Sequence, residues 1–426
     1  MSERRILANR RFLALWTGNV FSLVGTASVR IAYPLIVLAV SNSPALAGWV
    51  AFALTLPALF FQIPAGVAAD ACNRRQLMLA AQALGLAATA AVALALVFES
   101  RSIVAICFVA AFIEGTAFVF FSMAEVGAVR DVVHEEERTA AFSFMEAEQP
   151  VANLSGRAFG GALFGVAQWF PFFINAFSYL FCLLTLAWMP KRLFAPRPED
   201  SDPTSADAEK SRFWRRMGDG LTWTWRIPFL RLATFATGFT NMLFQGVILL
   251  ILVIGVREDR PIWTVGVVLA AAGVGGLAGS FAAPWFDRNA PPRTLFLGSL
   301  WAWTALLLMI ALSKSTLALL MAWAGVGAVG AVVSIVLTMA RVRSVPDSAI
   351  GKVVSAAALI TDVAFPLGAV LAGYLLTSVG PDISSWLIFA AAAAFAAVCT
   401  RFLEPLPSSP PPSAAVAHLA PDDYEA

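Results

Sequence analysis

Apolar residues come in long runs along this chain, each broken by a short charged or turn-forming segment. Twelve runs reach the ~20 residues an α-helix needs to cross a bilayer core: 12–39, 45–69, 76–98, 102–127, 140–166, 169–189, 229–255, 262–285, 294–312, 316–340, 352–379 and 383–403. The pattern predicts an all-α integral membrane protein with 12 transmembrane helices. Run 1 carries Arg30 and Pro34 inside it, and runs 5 and 11 are polar in their first turns. The joint between runs 2 and 3, Gly66 to Arg75, packs Asp70, Arg74 and Arg75 into a turn far too short to be a domain linker.

Composition agrees with lipid as the main solvent. The 426 residues are 59% hydrophobic and 13% charged, where a soluble domain carries about 25% charged residues. Thirteen Trp and 33 Phe suit a bilayer and its interfaces. Cys72, Cys107, Cys182 and Cys399 form no CxxC pair, so no disulfide framework is expected. His134 and His418 have no ligand-spaced neighbours; neither a metal nor a cofactor is expected. No G-x-x-x-x-G-K-[ST] occurs, which excludes that ATP site, and nothing suggests a nucleic-acid partner. The formal GxGxxG of Gly325–Gly330 lies inside a bilayer-length run and follows no strand, so no dinucleotide site is expected there. The first run is too long for the apolar core of a cleaved signal peptide and reads as a retained span.

Loops on one side hold 23 of the 29 lysines and arginines and those on the other side 4, with Arg30 and Arg157 inside spans. The positive-inside rule then puts both termini in the cytoplasm. The expected organisation is a cytoplasmic N-terminus (1–11), a six-helix half (12–190), a cytoplasmic linker with an interfacial helix (191–228), a second six-helix half (229–403) and a disordered tail (404–426). Within the linker, 196–210 is polar and proline-bearing and should lack structure. Phe213–Arg216 and Leu221–Arg226 mix Trp with Arg as interfacial helices do.

The halves repeat. At a shift of 213 residues Gly66 meets Gly279 and Arg130 meets Arg343, each at the same place in its half. Span 1 carries Asn19, Ser22, Thr26 and Arg30; span 7 carries Thr234, Thr237, Asn241 and Gln245 at the same 3, 4, 4 spacing. That spacing puts each set on one helix face. Two parallel six-helix pseudo-repeats, related by an axis along the membrane normal, are therefore expected.

These features resemble the major facilitator superfamily of transporters. Gly66, Asp70, Arg74 and Arg75 match that family's G-x-x-x-D-R-x-G-R-R/K hairpin, with Ala71 and Asn73 in place of the usual Arg and Gly. Phe12–Leu35 in span 1, Ala128–Val133 after span 4 and Pro366–Gly373 in span 11 are similar to the enterobactin exporter and macrolide efflux group. Where that group often has an Asp after the Gly of span 1, this chain has Thr26. The resemblance implies a monomeric secondary active transporter and proton antiporter in the bacterial inner (cell) membrane. It would export a siderophore-like or hydrophobic small molecule. Macrolide or multidrug export, nutrient import and a non-transporting receptor or assembly partner on the same fold are the alternatives.

The candidate residues follow. Asn19, Ser22, Thr26, Arg30, Glu114, Thr237, Asn241 and Gln245 would line the substrate cavity, with aromatics such as Phe21 and Phe244 near them. Glu114, Asp362 and Arg157 are ionisable groups inside spans and hence candidates for proton coupling. Arg30 and Glu114 can also be read as a structural ion pair. Glu125, Glu146 and Glu148 lie close enough to span ends to reach water. Gly66, Asp70, Arg74, Arg75 and Arg130 would form a cytoplasmic gate, with Asp70 and Arg74 latched to charges near Arg130 in the outward-open state.

Overall fold

The computed structural model describes residue 6 and residues 9–194, 218, 220–345 and 347–402, apart from some side chains within 146–158 and 341–359. The linker at 196–210, the expected helix start at 213–216 and the tail at 404–426 lie outside these. The helices are α1 Arg10–Ser41, α2 Pro44–Ala71, α3 Arg74–Val97, α4 Ile103–Val132, α5 Arg138–Val166, α6 Phe170–Trp188, α7 Pro228–Arg257, α8 Ile262–Asn289, α9 Pro292–Leu312 and α10 Thr316–Ser344. The last, Asp347–Phe402, is broken at Gly380 (φ 75°) into α11 (347–379) and α12 (381–402). Positive φ suits a residue without a Cβ, and Pro381 starts the next helix.

Cap residues fix the boundaries. Asn9 Oδ1 accepts from the amides of Arg11 and Phe12, Ser43 Oγ from Leu46, Asn73 Oδ1 from Gln76 and Ser315 Oγ from Ala318. Each satisfies an amide that the first helical turn leaves open. Ten of these helices are long and apolar enough to cross a membrane, and the last contains two crossings. The twelfth crossing is α5, at 29 residues long enough to span but too polar to stand out by hydropathy. It tolerates that polarity because it is packed between α1 and α8.

Within the first half α1 packs on α5 and α6, α2 on α4, and α3 on α4 and α6. The second half repeats the pairings: α7 on α11, α8 on α10, and α9 on α10 and α12. The halves meet along two seams, α5 on α8 and α2 on α11. Both are glycine seams. A Cβ on Gly161 would stand 2.3 Å from Gly266 Cα, and one on Gly48 would stand 2.4 Å from the Ala369 carbonyl oxygen. Only hydrogen at these positions allows backbones to approach so closely.

The apolar core is distributed unevenly. At the end away from the hairpin, one continuous cluster joins both halves, including Leu35 and Ile36 of α1, Leu250 and Ile254 of α7, Val268 of α8 and Leu376 of α11. At the hairpin end each half keeps its own cluster, one around Phe12, Met78 and Phe121, the other around Leu230, Phe296 and Leu337. The bundle is sealed at one end and divided at the other.

The seam geometry gives a stability test. Gly266→Val forces a side chain to within 2.6 Å of Gly161 Cα, and overpacking of this kind costs about 1–3 kcal/mol. A lower unfolding temperature in detergent is expected. Gly298→Ala, at an exposed position of α9 where a Cβ meets nothing within 4 Å, should stay within about 1 kcal/mol of the native protein.

Candidate functional site

The α1 stripe points into the first half and is almost wholly used by protein partners. Asn19 Nδ2 donates to both Glu125 of α4 and Glu148 of α5. Ser22 Oγ lies 3.2 Å from Gln82 Oε1 and 3.1 Å from its Nε2. Thr26 Oγ1 is 3.2 Å from the Tyr179 hydroxyl. Arg30 departs from the pattern: its guanidinium lies over the Phe118 ring at 4.7 Å and its Nε has no hydrogen-bond partner.

Glu114, in the middle of α4, is fully buried. Its Oε1 accepts from Asn175 Nδ2 at 3.4 Å, and the same amide donates to Thr89 Oγ1 at 3.2 Å. Its Oε2 and the Tyr33 hydroxyl have no hydrogen-bond partner. Among the ion pairs of the described residues none joins Arg30 to Glu114. Glu125 and Glu148 correct the expectation that they reach water, because both are buried. The Arg157 side chain lies outside the described residues. Asp362 is exposed on α11.

A cavity of about 560 Å³ lies wholly within the second half between α7, α8, α9, α10 and α11. Phe244, Phe296, Leu300, Trp303, Leu337 and Phe365 form its apolar wall. Thr237 and Asn241 of the α7 stripe reach it, with Thr240, Ser280, Ser299 and Ser334. Gln245 does not, and Thr234 is buried with its hydroxyl unpartnered. No charged side chain lines this cavity. Thr237, Thr240, Ser280 and Ser299 donate their hydroxyl protons to carbonyls of their own helices at 2.6–3.0 Å. Their lone pairs therefore face the cavity as acceptors. Phe244 stacks on Trp323 at 4.8 Å and closes the cavity toward the sealed end.

The hairpin contacts seen among the described residues are with the first half. Arg74 Nη1 reaches Asp131 Oδ2 at 3.1 Å and its Nη2 lies 3.7 Å from Asp70 Oδ1. Gly127 makes room, since a Cβ there would stand 2.4 Å from Arg74 Nε. Arg75 donates to the Leu186 and Ala187 carbonyls at 2.7 and 2.9 Å and so caps the end of α6. Arg130 stands apart, with its guanidinium 5.8 Å from the Phe142 ring centroid. Gly66 faces open space.

Residues 15–293 match the family model of the Major Facilitator Superfamily. The chain belongs to that superfamily, and it is a secondary transporter rather than an enzyme. Curated protein sequences contain no match. Among solved structures it resembles the nucleoside transporter NupG (TM-score 0.73, 11% identity, 93% of this chain and 100% of that one). It also resembles a bacterial homologue of the iron transporter ferroportin in an inward-facing state (0.69, 15%, 92% and 98%). A third is a bacterial homologue of the human lysosomal transporter Spinster in an inward-facing, unoccupied conformation (0.65, 15%, 92% and 96%). Identities this low speak for the fold alone.

Gly330 offers a test of the cavity, because it lines it and a Cβ there meets nothing within 4 Å. Gly330→Phe should fill the space and weaken cargo binding about tenfold or more with an unchanged unfolding temperature. Gly330→Ala should bind within about twofold of the native protein.

Proposed function

We propose that this chain is a proton-coupled exporter that carries largely apolar small molecules across the bacterial inner membrane by alternating access, acting as a monomer with both termini in the cytoplasm. The cavity carries the reading: an uncharged wall of aromatic and aliphatic side chains with a few acceptor hydroxyls, in a volume that suits a drug-sized ligand. Cargo bearing neutral hydroxyl or N–H donors fits that surface. The uncharged lining favours the macrolide- and multidrug-like end of the efflux group; siderophore-like cargo rests on the resemblance alone.

The charge bias of the loops supports assigning the divided end to the cytoplasm, and the conformation is then open to the cytoplasm and ready to load. A proton crossing about 150 mV releases about 3.5 kcal/mol, which sustains a concentration ratio of a few hundredfold. Glu114 is a candidate carrier because it is buried and keeps one oxygen unpartnered. Arg74 already meets Asp131, beside Arg130, in this conformation, so the expected latch is redrawn: Asp70, more than half exposed and 3.7 Å from Arg74, would meet the second half when the hairpin end closes. A latch of that kind stabilises the outward-open state.

In proteoliposomes with an imposed pH gradient, a neutral apolar fluorescent cargo should accumulate, and a protonophore should collapse the accumulation. Glu114→Gln should reduce it about tenfold or more. Unchanged accumulation in both Glu114→Gln and Asp362→Asn would remove the coupling assignment. For the latch, Asp70→Asn should slow turnover with cargo affinity within about twofold; lost binding with normal turnover contradicts it.

A further inference from the structure

The first half holds a second acidic site that the cargo cavity does not use. Glu125 of α4 and Glu148 of α5 both accept from the side-chain amide of Asn19 on α1, so three helices meet at one nitrogen. The two residues are 7% and 3% exposed. Asn19 can give one N–H to each carboxylate, which leaves Glu148 Oε1 buried without a partner. Among the described residues, no lysine, arginine or histidine forms an ion pair with either carboxylate. The ionisable group that α6 turns toward them is the Cys182 thiol.

Two carboxylates on one amide, both away from water, repel each other when both are ionised. An orphaned buried oxygen also lacks a donor. One proton answers both needs. A metal cation answers them less well, because the amide meets the carboxylates with N–H donors, where a cation would require oxygen lone pairs. We propose that Glu125, Asn19 and Glu148 form a proton-binding station of the transport cycle, with one proton held between the two carboxylates.

The surroundings connect this station to Glu114. Asn19 borders a void of about 20 Å³ together with Ser22, Thr26, Gln82 and Tyr179, room for one water molecule, which needs about 10–15 Å³. Across the void Thr26 meets Tyr179. Ser178, next to Tyr179, and Asn175, one turn back on α6, lie against α1 at Gly25, and Asn175 donates to Glu114. Hydroxyls and amides thus run from one acidic site to the other inside the first half, apart from the cargo cavity in the second. Glu148 sits on α5, the helix whose backbone touches α8 across the seam. With a proton the station ties α5 to α1 and α4; without it, like charges loosen α5 on the side opposite α8.

The inference rests on the proton-coupled reading above, and two measurements separate them. The first is infrared titration of the purified full chain without cargo. The wild type should show a protonated-carboxyl C=O band that falls with rising pH. The band should be lost or shifted in Glu125→Gln and Glu148→Gln and retained in Asp362→Asn. The second is proteoliposome transport. Both Gln variants should lose about tenfold or more of the pH-driven accumulation while equilibrium exchange without a gradient stays within about twofold. Retained exchange shows that the variants are folded, and Glu148→Asp should recover the band. Coupled wild-type transport with an unaltered band and unaltered accumulation in both Gln variants overturns the station alone. Wild-type accumulation indifferent to the pH gradient overturns the coupled reading and the station's part in the cycle with it. Accumulation driven by a sodium gradient and abolished by both substitutions overturns the proton assignment in favour of a cation site.

Discussion

A polar group inside a bilayer has no water to fall back on, so its partner must come from the protein. The two halves meet that constraint in different ways. In the first, side chains from five helices bind one another: Asn19 with Glu125 and Glu148, Ser22 with Gln82, Thr26 with Tyr179, Asn175 with Thr89 and Glu114. The result is a filled polar core with a few leftover oxygens. In the second half the cavity hydroxyls turn their protons back onto their own helices. These four hydroxyls need no partner helix, Asn241 reaching across to the Thr361 carbonyl of α11, and space is left for a guest. One half is suited to holding charge and the other to holding volume.

Glycine decides where the halves may slide. At Gly161 on Gly266 and at Gly48 on Ala369 and Gly373 the two halves touch main chain to main chain. Interfaces without interlocking side chains have few rotamers to reset when the crossing angle changes. The continuous apolar seal at one end and the two separate clusters at the other are what one extreme of such a rocking motion leaves.

Much of this architecture was legible from residue patterns. The twelve runs match the helices closely, and the half-chain repeat is matched by repeated helix pairings. Even α5, whose polarity hides it from hydropathy, was marked by the length of its run, 140–166. The site was less legible. The matching 3, 4, 4 stripes suggested two equivalent cavity walls, yet only Thr237 and Asn241 reach the large cavity, while Asn19, Ser22 and Thr26 are taken up by helices distant in sequence. Spacing along one helix shows which residues share a face and says nothing of what that face meets. Glu125 and Glu148 show the same limit. Their positions near helix ends suggested water, and only the packing of α1, α4 and α5 shows them enclosed. A polar Gln82 and Asn175 inside otherwise apolar runs were the available signals that a buried network existed.

The uncharged lining of the second-half cavity has an electrical consequence. A binding site without fixed charge moves none through the membrane field when it changes sides, so its own reorientation is indifferent to voltage. Any current in the cycle is then carried by the cargo or by the ionisable groups of the first half. For a neutral cargo exchanged against a proton, every turnover moves one net charge, and the transporter draws on membrane voltage as well as on pH.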